Sequence, residues 1–444
     1  MPELNDIPKK RGWRVAVALI TFMVVLVAVL VVGFEGWRQN ALAVEIANLR
    51  SAAARMESDI LKGRSPQRFY EERAGGRNGW QDQEVAFGLM GDLRGMTPEQ
   101  LAEAGPDARD PRSLCELLID EASESAPPTP AEMRHLIARS KSLQDAVAAA
   151  SRAEVIAWKP EAGENMWNGL MVGVLERQAM MQMLAARIAA HKRLGDFGAA
   201  SQEALVAVRF AELHTRPCNL VACLVDVGGR NIAWQAAGDL ALDNKLPDDI
   251  LRANWPAVAS CDALFDSALE AECVSTWVFL EADSMARPEG WFDWRAGSKS
   301  NPLMDGGPNT PLTSLALRRE TARGINHNLQ QLSEFRSSAD KANRGAYTPP
   351  APDSLLEFNA AGQYARMRNE FIKLHQWEAA VALRLAELDG ALKPEVIKGL
   401  AEKYVDIDIT IDGDIVIRPR KAFFDRLRLE ASDAPAALRL PAKK

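Results

Sequence analysis

The chain predicts a mainly all-α fold: one N-terminal transmembrane helix, a stalk helix, an irregular body of helical hairpins and a small C-terminal β-hairpin. Three observations carry this expectation. Val15 to Phe34 runs without a single charge. From 81 to 403 apolar residues recur at helical spacing between proline and capping signals, with almost no strand-like alternation. Only at 404–420 does the period change to two.

The apolar run, 15–34, spans roughly 30 Å as a helix, the thickness of a bilayer's hydrocarbon core. Lys9, Lys10, Arg11 and Arg14 precede it, and Trp13 and Trp37 bracket it. The basic side belongs in the cytoplasm, so 1–14 is expected as a cytoplasmic tail and the body as extracytoplasmic, periplasmic in a double-membraned bacterium. Ala41-Leu42-Ala43 has the look of a cleavage site, but the apolar run is too long for a signal peptide and Glu35, Trp37 and Arg38 intervene. An uncleaved single-pass anchor is the expectation.

Beyond Phe34 the chain holds 49 basic and 58 acidic side chains, so the body is acidic. Such a surface does not attract nucleic acid. Cys115, Cys218, Cys223, Cys261 and Cys273 include no CxxC pair, which leaves zinc ribbons and thioredoxin-type chemistry without support. They read as small buried apolar residues, with one or two disulfides as the other reading.

The stalk, 35–62, places Leu42, Ile46, Leu49, Ala53, Met56 and Ile60 on an a/d heptad seam. Either the seam joins two copies in a homodimeric coiled coil, with Leu42, Ile46, Leu49, Met56 and Ile60 as contacts, or the stalk lies against its own body. Residues 63–80, with Gly63, Pro66, Gly75, Gly76 and Gly79, read as a linker.

Within the helical body, Thr97-Pro98-Glu99-Gln100 and Thr129-Pro130-Ala131-Glu132 are capping boxes with proline at the first helical position. Met166 to Leu194 reads as a helix with Met171, Leu175, Ala179, Met183 and Ala186 on its inner face. Leu194–Ala200 and Leu374–Ala380 both read as turns of helical hairpins, without the regular period of a repeat array. An inserted loop, 287–311, is rich in Gly, Pro, Asn and Ser and carries Trp291, Phe292 and Trp294. Those aromatics form a binding surface for sugar, peptide or membrane, or else a plug over a groove.

Val405, Ile407, Ile409 and Ile411 alternate with Asp406, Asp408, Thr410 and Asp412, the pattern of a half-buried strand. Asp412-Gly413 supplies a hairpin turn and Ile415–Arg418 the return strand. Residues 421–444 are expected as a tail, frayed from about Ser432.

Candidate chemistry is thin. Asp408, Thr410, Asp412 and Gly413 imitate half an EF-hand loop, but Pro419 stands where the bidentate glutamate belongs. The carboxylates are expected in solvent. Glu132-Met133-Arg134-His135 is a lone Glu-x-x-His, too little for a di-iron site. His214 with Cys218 and Cys223 lacks a fourth ligand. Ser338-Ala339-Asp340-Lys341 lacks its Lys-Thr-Gly companion, and Glu270, Glu272, Glu281 and Asp283 share one predicted helix, on which Glu270 and Glu272, two apart, point to different faces. No catalytic residue, metal ligand or cofactor site is expected.

Val44-Glu45-Ile46-Ala47-Asn48-Leu49-Arg50-Ser51-Ala52, the stretch Ala268 to Glu272, and Ala382–Ala386 followed by Gly390, Pro394, Leu400 and Tyr404-Val405 carry a resemblance. The chain resembles uncharacterised bacterial envelope proteins with a single span and a long helical body. Its C-terminal segment is similar to that of pseudopilins, although the tyrosine-proline pair of their turn is absent. The resemblance implies architecture and an envelope location. Two functions remain as expectations: a membrane-anchored scaffold or protein-interaction module, or an envelope hydrolase gripping glycan or peptide through 287–311.

Overall fold

The computed structural model describes residues 7–93, 111–119, 127–158, 173–213, 219–286, 311–337, 360–412, 414–427 and 433–441, and helices dominate among them. Helix α1 (Ile7–Met56) is continuous from the apolar run into the stalk. Ala, Leu, Val and Met fill it, and no proline interrupts it after Pro8. Its large apolar side chains from Val17 to Phe34 are 38–72% exposed, so the body covers none of them. This helix is long and apolar enough to cross a membrane. Thr21, the one hydroxyl in the run, donates to the Val17 carbonyl at 2.9 Å, so it needs no water partner in hydrocarbon.

A π-helical turn, Glu57–Leu61, widens the end of α1, and Lys62 and Gly63 both take positive φ. The Arg64 guanidinium donates to the freed carbonyls of Leu61 and Ile60, at 2.7 Å each. Ser65 then caps α2 (Pro66–Arg73) through Oγ, which accepts from the Arg68 N–H at 3.1 Å. Residues 63–80 are therefore not a linker. Phe69 and Tyr70 are buried, and Arg73 lies 4.0 Å from the centre of the Phe69 ring. Gly79 serves close packing: a Cβ there would meet the Ala150 carbonyl at 2.9 Å.

The next helices are α3 (Trp80–Leu93), α4 (Pro111–Ile119), α5 (Pro130–Arg139) and α6 (Lys141–Ala150). The expected capping box opens α5, with Thr129 and Glu132 each satisfying the other's backbone N–H. A second hairpin joins α7 (Val174–Arg193) to α8 (Phe197–Leu213). Gly195 turns the chain at φ +81° and Asp196 Oδ1 accepts from the Ala199 N–H at 3.1 Å, as Leu194–Ala200 predicts. Of the expected inner face of α7, Met183 and Ala186 are buried and Ala179 half-buried, while Met171 lies outside the described residues. Leu175 is exposed, whereas Met180, Met181, Met183 and Leu184 are all buried. Packed by α4, α5 and α8, this helix has more than one inner face, which a single-stripe reading does not anticipate.

Asn219 caps α9 (Leu220–Leu242), short α10 (Asp248–Leu251) follows, and three long helices close the body. These are α11 (Cys261–Ala286), α12 (Pro311–Ser337) and α13 (Ala360–Leu388). α9 packs on α13, α11 on α12, and α12 on the stalk half of α1. Leu374–Ala380, expected as a hairpin turn, lies inside unbroken α13, because it offers no residue suited to positive φ. Its Trp377 instead covers Gly238 of α9, where any side-chain carbon would fall inside the indole ring.

After α14 (Pro394–Lys403) come β1 (Ile407–Asp412) and β2 (Asp414–Pro419), antiparallel with Ile409 opposite Ile417. The expected hairpin is thus present but grows by a strand. Beyond the short helix α15 (Lys421–Phe424), β3 (Leu438–Leu440) pairs with β2, Ile415 opposite Leu440. The end of the chain is not frayed there, because Leu440 is buried with Ile407, Ile417 and Phe423 against α13.

One apolar core runs from Ala52, Met56 and Ile60 of the stalk to Phe371 and Val381 of α13. Stalk and body are a single packed unit.

Candidate functional site

The aromatic surface Trp291, Phe292 and Trp294 lies outside the described residues, as do Cys218 and Ser338–Lys341. The proposed dimer seam divides. Leu42 is on α1 with its side chain outside the described set, Ile46 and Leu49 are half-buried, and Met56 and Ile60 are each 1% exposed in the chain's own core. Those last two cannot serve a second stalk unless the body opens. Cys115, Cys223, Cys261 and Cys273 are buried free thiols, and burial pushes the Cys261 thiol up to about 12. A thiol held protonated is no nucleophile.

The weak sequence candidates resolve into structural roles. Asp408 is half-buried and accepts from Arg420 Nε at 3.0 Å, so it is not a free cation ligand. Asp406, expected in solvent, is fully buried, with both oxygens 2.8 Å from His375 Nδ1. Glu270 pairs with Arg73 at 2.5 Å and with Arg336. Glu272 caps α9 from α11, accepting from the Leu220 N–H at 3.2 Å. Burial raises its carboxyl to about 6, with that N–H opposing the rise. The side chains of Glu281 and Asp283 lie outside the described set.

Three ion pairs sit where α7, α8 and α9 meet, and sequence reading singled out none of them. Arg187 holds Glu203 at 2.5 Å and donates to Ser140 Oγ and the Ile137 carbonyl, each at 2.6 Å. Burial opposes ionisation of Glu203, but His191 and Arg187 outweigh it and its pKa is lowered. Arg230 and the Trp234 indole N–H both donate to Glu212, at 2.9 Å each. Arg177 meets Asp226 at 3.0 Å in a crevice also lined by Met181, Phe210 and Gly229. There Asp226 Oδ2 and Arg177 Nε find no hydrogen-bond partner among the described residues. Burial raises the Asp226 pKa, against the pull of Arg177 and Arg230. The signal available in sequence was charge inside apolar helix faces, with Asp226 and Arg230 four apart.

His375 and Asp406 make two members of a triad. The ring packs between Phe371 and Tyr404, and its Nε2 takes no hydrogen bond among the described residues. Elsewhere in the body Tyr364 donates to Asp262 at 2.7 Å and burial holds the Cys261 thiol protonated. The His375–Asp406 pair fastens α13 to the start of β1.

A polar cleft of about 290 Å³ lies between α1 and α12. Glu45, Asn48 and Ser51 line one wall, and Arg319, Arg323 and Asn326 the other. Asn48 donates to Glu45 at 3.2 Å, and Arg55 closes one end by donating to Asn326 at 3.0 Å. Among the described residues no group of three His, Cys, Asp or Glu side chains could hold a metal. No protein-family model matches this chain, and no curated protein or solved structure matches it.

Proposed function

We propose that this chain is a membrane-anchored helical module, held outside the cytoplasm by one span, which acts by binding another protein. The observation that carries the reading is the continuity of α1. From Val17 to Phe34 it exposes apolar side chains on every side, and at its end Ala52 and Met56 are buried in the body's core. At about 25 cal/mol per Å², that much apolar surface is costly in water and favourable in lipid. A rigid helix of this kind transmits the membrane's position directly to the body, as a scaffold requires. The charges of the core support binding over catalysis, since Arg187, Arg230, Glu203 and Glu212 are all engaged with one another. Lys9, Lys10, Arg11 and Arg14 set the orientation, with the N-terminus cytoplasmic.

Reporter fusions to the C-terminus of the full chain test the topology. Alkaline phosphatase is expected to be active there and green fluorescent protein dark. The reverse pattern would place the body in the cytoplasm and end this reading. Affinity purification from detergent-solubilised membranes then tests the interaction: a stoichiometric protein partner is expected.

A further inference from the structure

The cleft between α1 and α12 has a charge balance opposite to that of the acidic body around it. Arg319 and Arg323 line it against the single carboxylate of Glu45, and Arg55 stands at its end. Glu45 is engaged by Asn48, but the exposed Arg319 makes no hydrogen bond or ion pair among the described residues. Asn48, Ser51 and Asn326 add amide and hydroxyl groups to the same walls. An unpartnered guanidinium beside a second one, with neutral polar groups facing both, is an arrangement for oxygens that carry negative charge. The volume, about 290 Å³, suits a small molecule rather than a peptide segment.

The distance from the membrane decides between two sources of such oxygens. At about 1.5 Å per residue, Glu45 lies about 16 Å along α1 from Phe34. A tilt of about 40° still leaves it about 12 Å out, whereas headgroups extend only about 5–7 Å beyond the hydrocarbon. Lipid phosphates stop short of the cleft. We propose that this cleft binds a small soluble ligand bearing an oxyanion, a carboxylate or a phosphate.

The test uses the full chain in a neutral detergent, melted with inorganic phosphate, with succinate, and with chloride at matched ionic strength. Phosphate or succinate is expected to raise the melting midpoint where chloride does not. Arg319→Glu is expected to weaken that effect at least about tenfold, the worth of one charge-assisted contact. Its midpoint in chloride should stay unchanged, because Arg319 supports no other group. No shift with either anion, or an equal shift in the variant, overturns the site. A parallel arm compares nanodiscs of phosphatidylglycerol and phosphatidylcholine without added anion. Stabilisation by phosphatidylglycerol that vanishes in Arg319→Glu would put a lipid headgroup in the cleft and overturn the soluble ligand. None of these results bears on the topology of the anchor.

Discussion

Glu272 shows how one side chain in this protein couples folding to pH. It is buried, and its carboxyl is raised from an ordinary 4.5 to about 6, so the folded state favours the protonated form. Its contribution is complete below about pH 4.5 and is lost as pH rises through 6. The shift corresponds to about 2 kcal/mol, an order-of-magnitude figure. Glu272→Gln keeps the shape and an oxygen for the Leu220 N–H while removing the charge. The variant is expected to melt higher than the parent at pH 8 and alongside it at pH 4.5. Equal melting at both values would show that the carboxylate is well solvated by its surroundings. Glu203 behaves oppositely because Arg187 and His191 stand beside it, and the same residue type thus acquires opposite pH dependence from its neighbours.

Among the elements, the crossing of α9 and α13 depends on the absence of one side chain. Trp377 occupies the space that a Cβ on Gly238 would need. Gly238→Ala should therefore cost about 1–3 kcal/mol as overpacking, although alanine is the better helix former. Trp377→Leu should cost stability by leaving a void, and in combination with Gly238→Ala it should recover part of the loss. Denaturant unfolding of the two single variants and the double variant measures the coupling. Strictly additive costs would mean that the helices separate locally without penalty. The C-terminal sheet follows similar logic: β3 is only three residues long and lasts because Leu440 enters the core beneath it.

On the scale of the whole molecule, the stalk is part of the body. Ile60 is 1% exposed within the main core, which reaches α13. Ile60→Asp is therefore expected to destabilise the entire body by several kcal/mol, as an unpaired charge in a core does. Thermal melting monitored by circular dichroism reads this directly. A normal melt together with a change in oligomeric state by light scattering would instead return Ile60 to an intermolecular seam. The free thiols belong to this scale too. With Cys115, Cys223, Cys261 and Cys273 all buried, stability rests on packing rather than on covalent links between these residues.

Sequence alone determined the features that are local. The uncharged run 15–34, the Thr129–Glu132 box, the Gly195–Asp196 turn and the hairpin about Asp412-Gly413 each depend on neighbours within a few residues, and each reappears in three dimensions. Of the expected inner face of the first strand, however, only Ile407 and Ile409 are buried, while Val405 and Ile411 are exposed. The tertiary structure decided which apolar faces are inner, and hence where charges end up. Leu374–Ala380 read as a turn because Leu194–Ala200, with similar small residues, is one; the absence of a glycine left α13 intact. Residues 63–80 read as a linker because glycines and polar residues abound, while Phe69 and Tyr70 found a core contributed by α11. Asp406 read as wet because it alternates with isoleucines, but His375, 31 positions away, lies over it. The Arg319 cleft has walls from two helices nearly 270 residues apart in the chain, the separation of Arg55 from Asn326 being 271. No local pattern encodes such a meeting: it arises when burial brings distant helices together, and the environment of each charge is set only then.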